Sequence, residues 1–166
     1  GGMNKKFFSK TGLGILAVFF IFSQTFLCFA KELEPVKLLP PRLENGKLLM
    51  RALKERQSSR SFDPQDLPLP IVSEILWSAC GVNRVESGKR TAPCAKDLKE
   101  IEVYVATAQG LFRYNAVKHL LVPVLASDIR GLAGKQSFVA TAPLVLIFVA
   151  DFSLMKDRSL ENQQFY

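Results

Sequence analysis

The sequence predicts an α+β domain, and three features support that prediction. Apolar residues recur at helical spacing in residues 46–57 and again in residues 70–81, which indicates two amphipathic helices. Ile101, Val103 and Val105 alternate with Glu102 and Tyr104, as the side chains of a half-buried strand do. Residues 144–150 (LVLIFVA) form a continuous apolar run, which is typical of a strand buried on both faces. The chain shows no internal repeat and no low-complexity tract.

The first predicted helix begins after Gly46. Its apolar face consists of Leu48, Leu49, Ala52 and Leu53, and its polar face of Lys47, Arg51, Lys54 and Glu55. We expect the helix to end near Arg56 or Gln57, because a turn follows and the residue before Pro64 disfavours helical backbone.

The second predicted helix has the clearest periodic pattern in the chain. Pro70 suits its first turn, because the N–H group that proline lacks would be unpaired there in any case. The apolar face consists of Val72, Ile75, Leu76, Ala79 and Cys80. Residues 81–93 (GVNRVESGKRTAP) are polar and contain glycine, so they are predicted to form a loop.

A β-hairpin is predicted after the strand at residues 101–105. Residues 111–114 and 119–124 have the composition of short strands and flank a polar turn. Ser127 or Asp128 can cap a short helix that runs to Leu132. His119, the only histidine, opens the second hairpin strand and has no catalytic partner near it in sequence, which favours a structural role.

Residues 1–30 have the organisation of a secretory signal. Two glycines precede Met3 and are interpreted as a cloning remnant. A basic stretch and then an apolar run, residues 12–22, follow. Small residues stand at Cys28 and Ala30, the positions that a signal peptidase reads, so we expect cleavage after Ala30.

This cleavage would export the protein to the periplasm. Residues 31–45, which contain three prolines, would form an extended lead-in, and residues 46–166 would form the domain. The alternative is a retained anchor facing the periplasm, because residues 12–30 approach the ~20 residues that span a bilayer.

Charge and composition limit the classes of partner. The chain has 22 basic and 15 acidic residues, a formal net charge of +7. Without the three lysines of the predicted signal, 19 basic residues stand against 15 acidic ones, a net charge of +4. The basic residues are scattered among acidic ones and do not alternate with aromatics along a stripe, which argues against nucleic-acid binding. No C-x-x-C spacing or His/Cys cluster predicts a metal site.

Two cysteines, Cys80 and Cys94, lie in the predicted domain. An oxidising compartment would permit a disulfide between them. The alternative, which we favour, is that both are small buried residues, because a free cysteine packs as an apolar side chain.

The arginine segment, residues 56–62 (RQSSRSF), is the most informative stretch for binding. Two guanidinium groups four residues apart, with serine hydroxyls between them, lie where a helix gives way to a turn. Guanidinium forks and hydroxyls match the oxygens of a phosphate, so the segment suits a small phosphorylated ligand. The alternative is a solvated helix end, where the helix dipole favours cations.

The Cys94 loop, residues 90–98 (RTAPCAKDL), precedes the first predicted strand. Its small residues would let the backbone approach a flat ligand, and Lys96 and Asp97 would place polar groups at the edge of that ligand. By itself the segment is an ordinary loop.

Together, the arginine segment and the Cys94 loop resemble the nitroreductase family of FMN-dependent oxidoreductases. The arginine segment is similar to the family's Arg-x-Ser-x-Arg-x-Phe motif, and the Cys94 loop to its Thr-Ala-Pro-Ser-Ala loop, with Cys94 in place of serine. Residues 76–84 (LWSACGVNR) are similar to the family's segment between these motifs. Residues 110–115 (GLFRYN) and 138–143 (FVATAP) resemble the branch that includes the dehydrogenases forming thiazole and oxazole rings in peptides.

The resemblance implies a mixed, mainly antiparallel sheet flanked by helices, and a homodimer that holds FMN at the subunit interface. Arg56, Ser58 and Arg60 would bind the phosphate and ribityl chain, and Gln57 would lie at the pyrimidine end of the ring. The partner subunit would line the flavin with Pro93, Cys94, Ala95 and Asp97. No catalytic residue is assigned, because the cofactor itself carries the redox step.

We therefore expect an exported FMN-dependent oxidoreductase that moves hydride between flavin and a small organic substrate. The family's pattern continues past residue 166, so we also expect the domain to be partial at its C-terminus. The alternative is a truncated, non-catalytic remnant or a partner-binding domain of the same fold.

Overall fold

The computed structural model of the chain describes residues 32–44, 46–94 and 97–154. The predicted signal or anchor, the end of the domain from residue 155, and Ala95 and Lys96 of the Cys94 loop lie outside the described residues. The described helices are α1 (Leu49–Glu55) and α2 (Leu69–Cys80). The described strands are β1 (Val36–Lys37), β2 (Val82–Arg84), β3 (Lys89–Arg90), β4 (Ile101–Ala106), β5 (Leu111–Asn115), β6 (Leu120–Leu125) and β7 (Val145–Ala150).

The strands form one antiparallel sheet and one small hairpin. The five-stranded sheet has the order β1-β6-β5-β4-β7, and β2 pairs with β3 in a separate two-stranded sheet. Every pair of neighbouring strands is antiparallel. The predicted fold class is confirmed: the domain is α+β, with an antiparallel sheet and two helices.

Helix α2 packs on one face of the large sheet, where it forms the core. Leu76 is fully buried and lies in one cluster with Val103 and Val105 of β4. Since strand side chains alternate between the two faces, residues 103 and 105 point to the same side. Phe112 and Tyr114 of β5 contribute to the same cluster in the same way. The predicted second helix and first strand are confirmed. Both have a clear sequence pattern because each buries one face in this core.

The lead-in joins the sheet. Val36–Lys37 pairs with β6, and the next residue, Leu38, is buried in the core. The fully buried hydroxyl of Ser73 on α2 accepts a hydrogen bond from the Leu39 amide at 3.0 Å and donates to the Leu69 carbonyl at 2.7 Å. The sequence predicted an extended lead-in but not this pairing.

Helix α1 is confirmed as a helix, but it leaves its apolar side exposed. Leu48, Leu49 and Leu53 are 80%, 70% and 56% exposed, and Met50 is 75% exposed. Lys47 and Arg51 each form an ion pair with Glu55 on the opposite side of the helix. A periodic sequence identifies the apolar side of a helix, but it does not say which surface covers that side.

The predicted loop at residues 81–93 is wrong in part, since it contains the β2–β3 hairpin. Gly88 turns the chain in the left-handed region, with φ of 62°, where glycine has no steric penalty. A guanidinium N–H of Arg84 donates to the Arg90 carbonyl across the hairpin at 2.7 Å. The Trp77 indole N–H donates to the Val82 carbonyl at 3.3 Å and joins the hairpin to α2. These two side-chain bonds stabilise strands that are too short and polar to give a strand pattern.

The prediction that residues 144–150 form a strand buried on both faces is also wrong. These residues do form β7, which pairs with β4 from Ile101↔Ala150 to Ala106↔Val145. Among the described strands, however, β7 lies at the edge of the sheet. Phe148 is 57% exposed and Val149 is 41% exposed. The apolar side chains of β7 therefore form a surface that no described residue covers.

The predicted hairpin is confirmed as β5 and β6, and His119 has a structural role in its turn. His119 adopts a left-handed backbone with φ of 47°. Its Nε2–H group donates to the Leu39 carbonyl at 2.8 Å, so its Nδ1 accepts from the Tyr114 hydroxyl, also at 2.8 Å. Burial raises the pKa of Tyr114 to about 12. The imidazole thus joins the hairpin turn to the lead-in.

The predicted short helix is a single 3₁₀ turn, Arg130–Leu132. The Asp128 carboxylate accepts three hydrogen bonds from Arg130, one from its backbone N–H and two from its guanidinium, at 2.7–3.0 Å. Another guanidinium N–H donates to the Ala142 carbonyl at 2.7 Å. Hydrogen bonding to Arg130 lowers the pKa of Asp128 to about 2.

Replacing Asp128 with asparagine should remove a contribution to stability that depends on pH. Because the pKa of Asp128 is lower in the folded state, its carboxylate stabilises the fold above the unfolded pKa, and this contribution disappears as pH falls towards about 2. The pair is partly exposed, so Asp128→Asn should lower the free energy of unfolding by ~0.2–1 kcal/mol at neutral pH. Denaturant unfolding at a series of pH values checks this. A difference between wild type and variant that does not shrink on acidification would contradict the assignment.

Candidate active site

The Cys94 loop is anchored at its start by hydrogen bonds from two of its own side chains. Arg90 directs one guanidinium N–H group at the Cys80 sulfur, 3.2 Å away, and at the Ile101 carbonyl, 3.3 Å away. The Thr91 hydroxyl donates to the Trp77 carbonyl at 3.0 Å. The start of the loop is therefore attached both to the end of α2 and to the start of β4.

Cys94 and Glu100 form the centre of the loop. The Cys94 thiol donates to the Glu100 carboxylate at 3.1 Å, and the Cys94 sulfur accepts from the Lys99 amide at 2.9 Å. Glu100 is only 6% exposed. Asp97 and Lys99 have positive φ values of 55° and 56°, which side chains other than glycine adopt infrequently. The loop thus keeps a strained backbone that these two sulfur contacts hold in place.

Cys80 and Cys94 are not joined by a disulfide. Cys80 is buried and Cys94 is half-buried. The interpretation of the two cysteines as small packed residues is confirmed for Cys80. Cys94 differs, because it lines cavities at the surface of the loop.

Three neighbouring cavities surround the Cys94 loop. The first has a volume of about 230 Å³ and is mostly apolar, with Ala79, Ala92, Pro93, Ile101 and Phe148 in its walls beside Cys94 and Glu100. The second, of about 280 Å³, lies between Arg90, Glu102 and Tyr114. The third, of about 330 Å³, opens between the β2–β3 hairpin and the loop. Pro93 and Cys94 line both the first and the third cavity.

The arginine segment lies on the surface. Arg56, Gln57, Ser58 and Arg60 are all exposed. Within the described ranges, no residue accepts a hydrogen bond or forms an ion pair with the guanidinium of Arg56 or Arg60. The segment ends at Phe62, whose ring packs on Phe138 with centroids 6.3 Å apart. The two arginines are therefore available to a ligand.

The predicted site residues lie in two separate places. Pro93, Cys94 and Asp97 line the third cavity, whereas Arg56, Gln57, Ser58 and Arg60 line none of the three cavities around the loop. Ala95 lies outside the described residues. None of these three cavities is therefore lined by described residues of both segments.

Sequence reasoning did not identify the charged residues around the loop as site residues. Arg84, Lys89 and Lys99 line the third cavity, and buried Glu100 lines the first. A signal was present, since residues 84–90 (RVESGKR) carry three cations around a glycine. It was read as part of a polar loop because the hairpin that directs these side chains to one side was not predicted.

An antiparallel α+β domain with an exposed arginine segment and a loop of small residues has the features of a nitroreductase-type oxidoreductase. The sequence pattern described as "Nitroreductase family" matches residues 53–166. This match covers more than half of the chain, and the protein belongs to the nitroreductase family.

Two relatives give the extent of the similarity. MJ1384 of Methanocaldococcus jannaschii, whose designation as a nitroreductase is provisional, is 34% identical in an alignment 122 residues long, which covers 68% of this chain and 61% of that protein. The crystal structure of reut_a1228 from Ralstonia eutropha JMP134, with the same provisional designation, is 42% identical. It superposes with a TM-score of 0.73 over 80% of this chain and 63% of its own. The chain thus spans somewhat less than two thirds of each relative.

Proposed function

We propose that this protein is an FMN-dependent oxidoreductase that transfers hydride between the flavin and a small organic substrate. The observation that carries the proposal is the arginine segment of a nitroreductase-family chain, whose two guanidinium groups are exposed and have no partner among the described residues. The similarity of residues 110–115 and 138–143 further supports the branch with the thiazole- and oxazole-forming dehydrogenases.

The arginine segment fits a terminal phosphate. Each guanidinium presents parallel N–H donors that match two phosphate oxygens, and Ser58 adds an exposed hydroxyl between them. The neighbouring Ser59 hydroxyl instead donates to the Ser61 carbonyl at 3.1 Å and stabilises the turn. Because Ser59 holds the turn, Arg56, Ser58 and Arg60 remain available to bind the phosphate and the ribityl chain. Gln57 would lie towards the flavin ring.

The Cys94 loop fits the flat ring of a flavin through Pro93 and Cys94. Both residues line the mostly apolar first cavity. Asp97 brings a negative charge, but the Lys99 ammonium lies 3.8 Å from its carboxylate and offsets that charge in part. When bound, FMN supplies the hydride-accepting chemistry. The loop's contribution is to position the ring and to limit the access of water to it.

We propose a homodimer as the functional unit. Two exposed apolar surfaces support a subunit interface: the side of α1 with Leu48, Leu49 and Leu53, and the edge strand β7 with Phe148 and Val149. Contiguous apolar surface on a folded domain usually marks a site of association. In such a dimer the arginine segment of one subunit and the Cys94 loop of the other would bind the same cofactor.

We also propose export to the periplasm, which the basic and apolar pattern of residues 1–30 supports. In the part of the chain that the structure describes, neither helix has the length and apolarity of a membrane span. N-terminal sequencing of the mature protein should begin at Lys31. Recovery of Lys5 in the membrane fraction would instead support an anchor.

Bound flavin is the direct test of the proposed function. The full-length protein should purify with the visible absorbance of oxidised flavin, or should regain it after incubation with FMN. A folded protein that remains colourless and cannot be reconstituted would contradict the proposal and would favour a non-catalytic domain of the same fold.

A further inference from the structure

The third cavity is a basic groove, formed by Arg84, Lys89, Arg90 and Lys99 together with Asp97, Ala92, Pro93 and Cys94. Among the lining residues that the structure describes, four carry a positive charge and one, Asp97, carries a negative charge. The groove has a volume of about 330 Å³, which is enough for a small organic anion.

The cations of the basic groove are only weakly neutralised. Arg84 and Arg90 donate to neutral backbone carbonyls, which fix the guanidinium groups without cancelling their charge. The single carboxylate, Asp97, lies 3.8 Å from the Lys99 ammonium, at the long end of an ion pair, and is 58% exposed. Lys89 is exposed at the end of the hairpin. The groove thus keeps a positive potential that attracts anions.

The basic groove is continuous with the mostly apolar first cavity. Arg90, Ala92, Pro93, Cys94 and Lys99 line both. Beyond these shared residues the first cavity is walled by apolar residues and by the buried carboxylate of Glu100; the apolar residues are Ala79, Cys80, Ile101 and Phe148. Together the two cavities present an apolar surface at one end and a row of cations at the other.

We propose that the basic groove binds the charged group of an anionic substrate: a small molecule whose carboxylate or phosphate lies in the groove and whose flat apolar body lies beside the flavin ring proposed for the first cavity. The inference rests on the proposed function, because it assigns the substrate class of the same oxidoreductase. Lys89 and Lys99 determine the specificity, since their ammonium groups are not committed to the backbone as the two arginines are. Arg84 and Arg90 chiefly shape the groove.

The test compares charged and uncharged probes of the same shape. Calorimetric dissociation constants for 4-nitrobenzoate, 4-nitrophenyl phosphate and uncharged 4-nitrobenzamide would be measured on the full-length protein, both FMN-loaded and flavin-free. The double variant Lys89→Gln with Lys99→Gln should bind the two anions ~10- to 100-fold more weakly and the amide unchanged. Lys54→Gln, which removes an exposed lysine of α1, is the matched control and should change none of the three constants. The two anionic probes separate carboxylate from phosphate recognition.

Three outcomes would overturn the proposal. The double variant could bind the anions as the wild type does, or it could lose the amide and the anions equally, which would indicate a role in folding or shape. It could also lose FMN while it retains riboflavin, which would show that the groove binds the phosphate of the cofactor. A protein that never binds flavin would contradict the proposed function. Anion binding could still be measured on that flavin-free protein, so the two proposals fail separately.

Discussion

Simultaneous replacement of Arg56 and Arg60 with glutamine should weaken FMN binding by ~100-fold or more. A charge-assisted hydrogen bond contributes ~1.5–3 kcal/mol, and loss of two such groups corresponds to ~10²- to 10⁴-fold in the dissociation constant. Both side chains are exposed, so the variant should fold normally. Riboflavin, which has the ribityl chain but no phosphate, should lose far less affinity than FMN.

Flavin fluorescence titration of the full-length protein measures this effect. Lys54→Gln is the matched control, because it removes a positive charge from an exposed position of the same helix that precedes the arginine segment. Retention of FMN by the double arginine variant, with an unchanged preference for FMN over riboflavin, would show that the phosphate is bound elsewhere. The arginine segment would then be a solvated helix end.

Replacement of Leu76 with alanine should have the largest effect on stability. Leu76 is fully buried between α2 and the sheet, where it belongs to one cluster with Val103 and Val105. Removing its three outer carbons creates a cavity as well as losing buried apolar area, so Leu76→Ala should lower the free energy of unfolding by ~2–5 kcal/mol. That is a large part of the ~5–15 kcal/mol by which such domains are stable.

Denaturant unfolding checks this prediction against a surface control. Leu132 is 86% exposed, so Leu132→Ala should change the free energy of unfolding by less than ~0.5 kcal/mol. If Leu76→Ala does not fold, Leu76→Met, which nearly conserves volume, should fold with a loss below ~1.5 kcal/mol. Equal effects of the alanine changes at residues 76 and 132 would contradict the packing of α2 on the sheet.

Much of the candidate site was accessible from local sequence. The arginine segment and Pro93 and Cys94 were singled out by residue type and by resemblance, and the structure places the arginines at the surface and the two loop residues in cavity walls. Lys99 and Glu100 were not predicted as site residues. Their roles depend on Cys94. The Cys94 sulfur accepts a hydrogen bond from the Lys99 amide, and the Cys94 thiol donates one to the Glu100 carboxylate. Such contacts follow from loop geometry that a sequence pattern does not encode.

The sequence by itself determined the helix and the strand that each bury one face in the core. Helix α2 and strand β4 each present one apolar face to the same core, so their periods of 3.6 and 2 residues are visible in the order of side chains. The tertiary structure alone decided which surfaces meet. It placed β7 at an edge of the described sheet, left α1 exposed, and folded residues 82–90 into a hairpin that directs its cations towards the Cys94 loop. Local periodicity records whether a face avoids water, whereas the neighbour that covers it is set by contacts between residues distant in sequence.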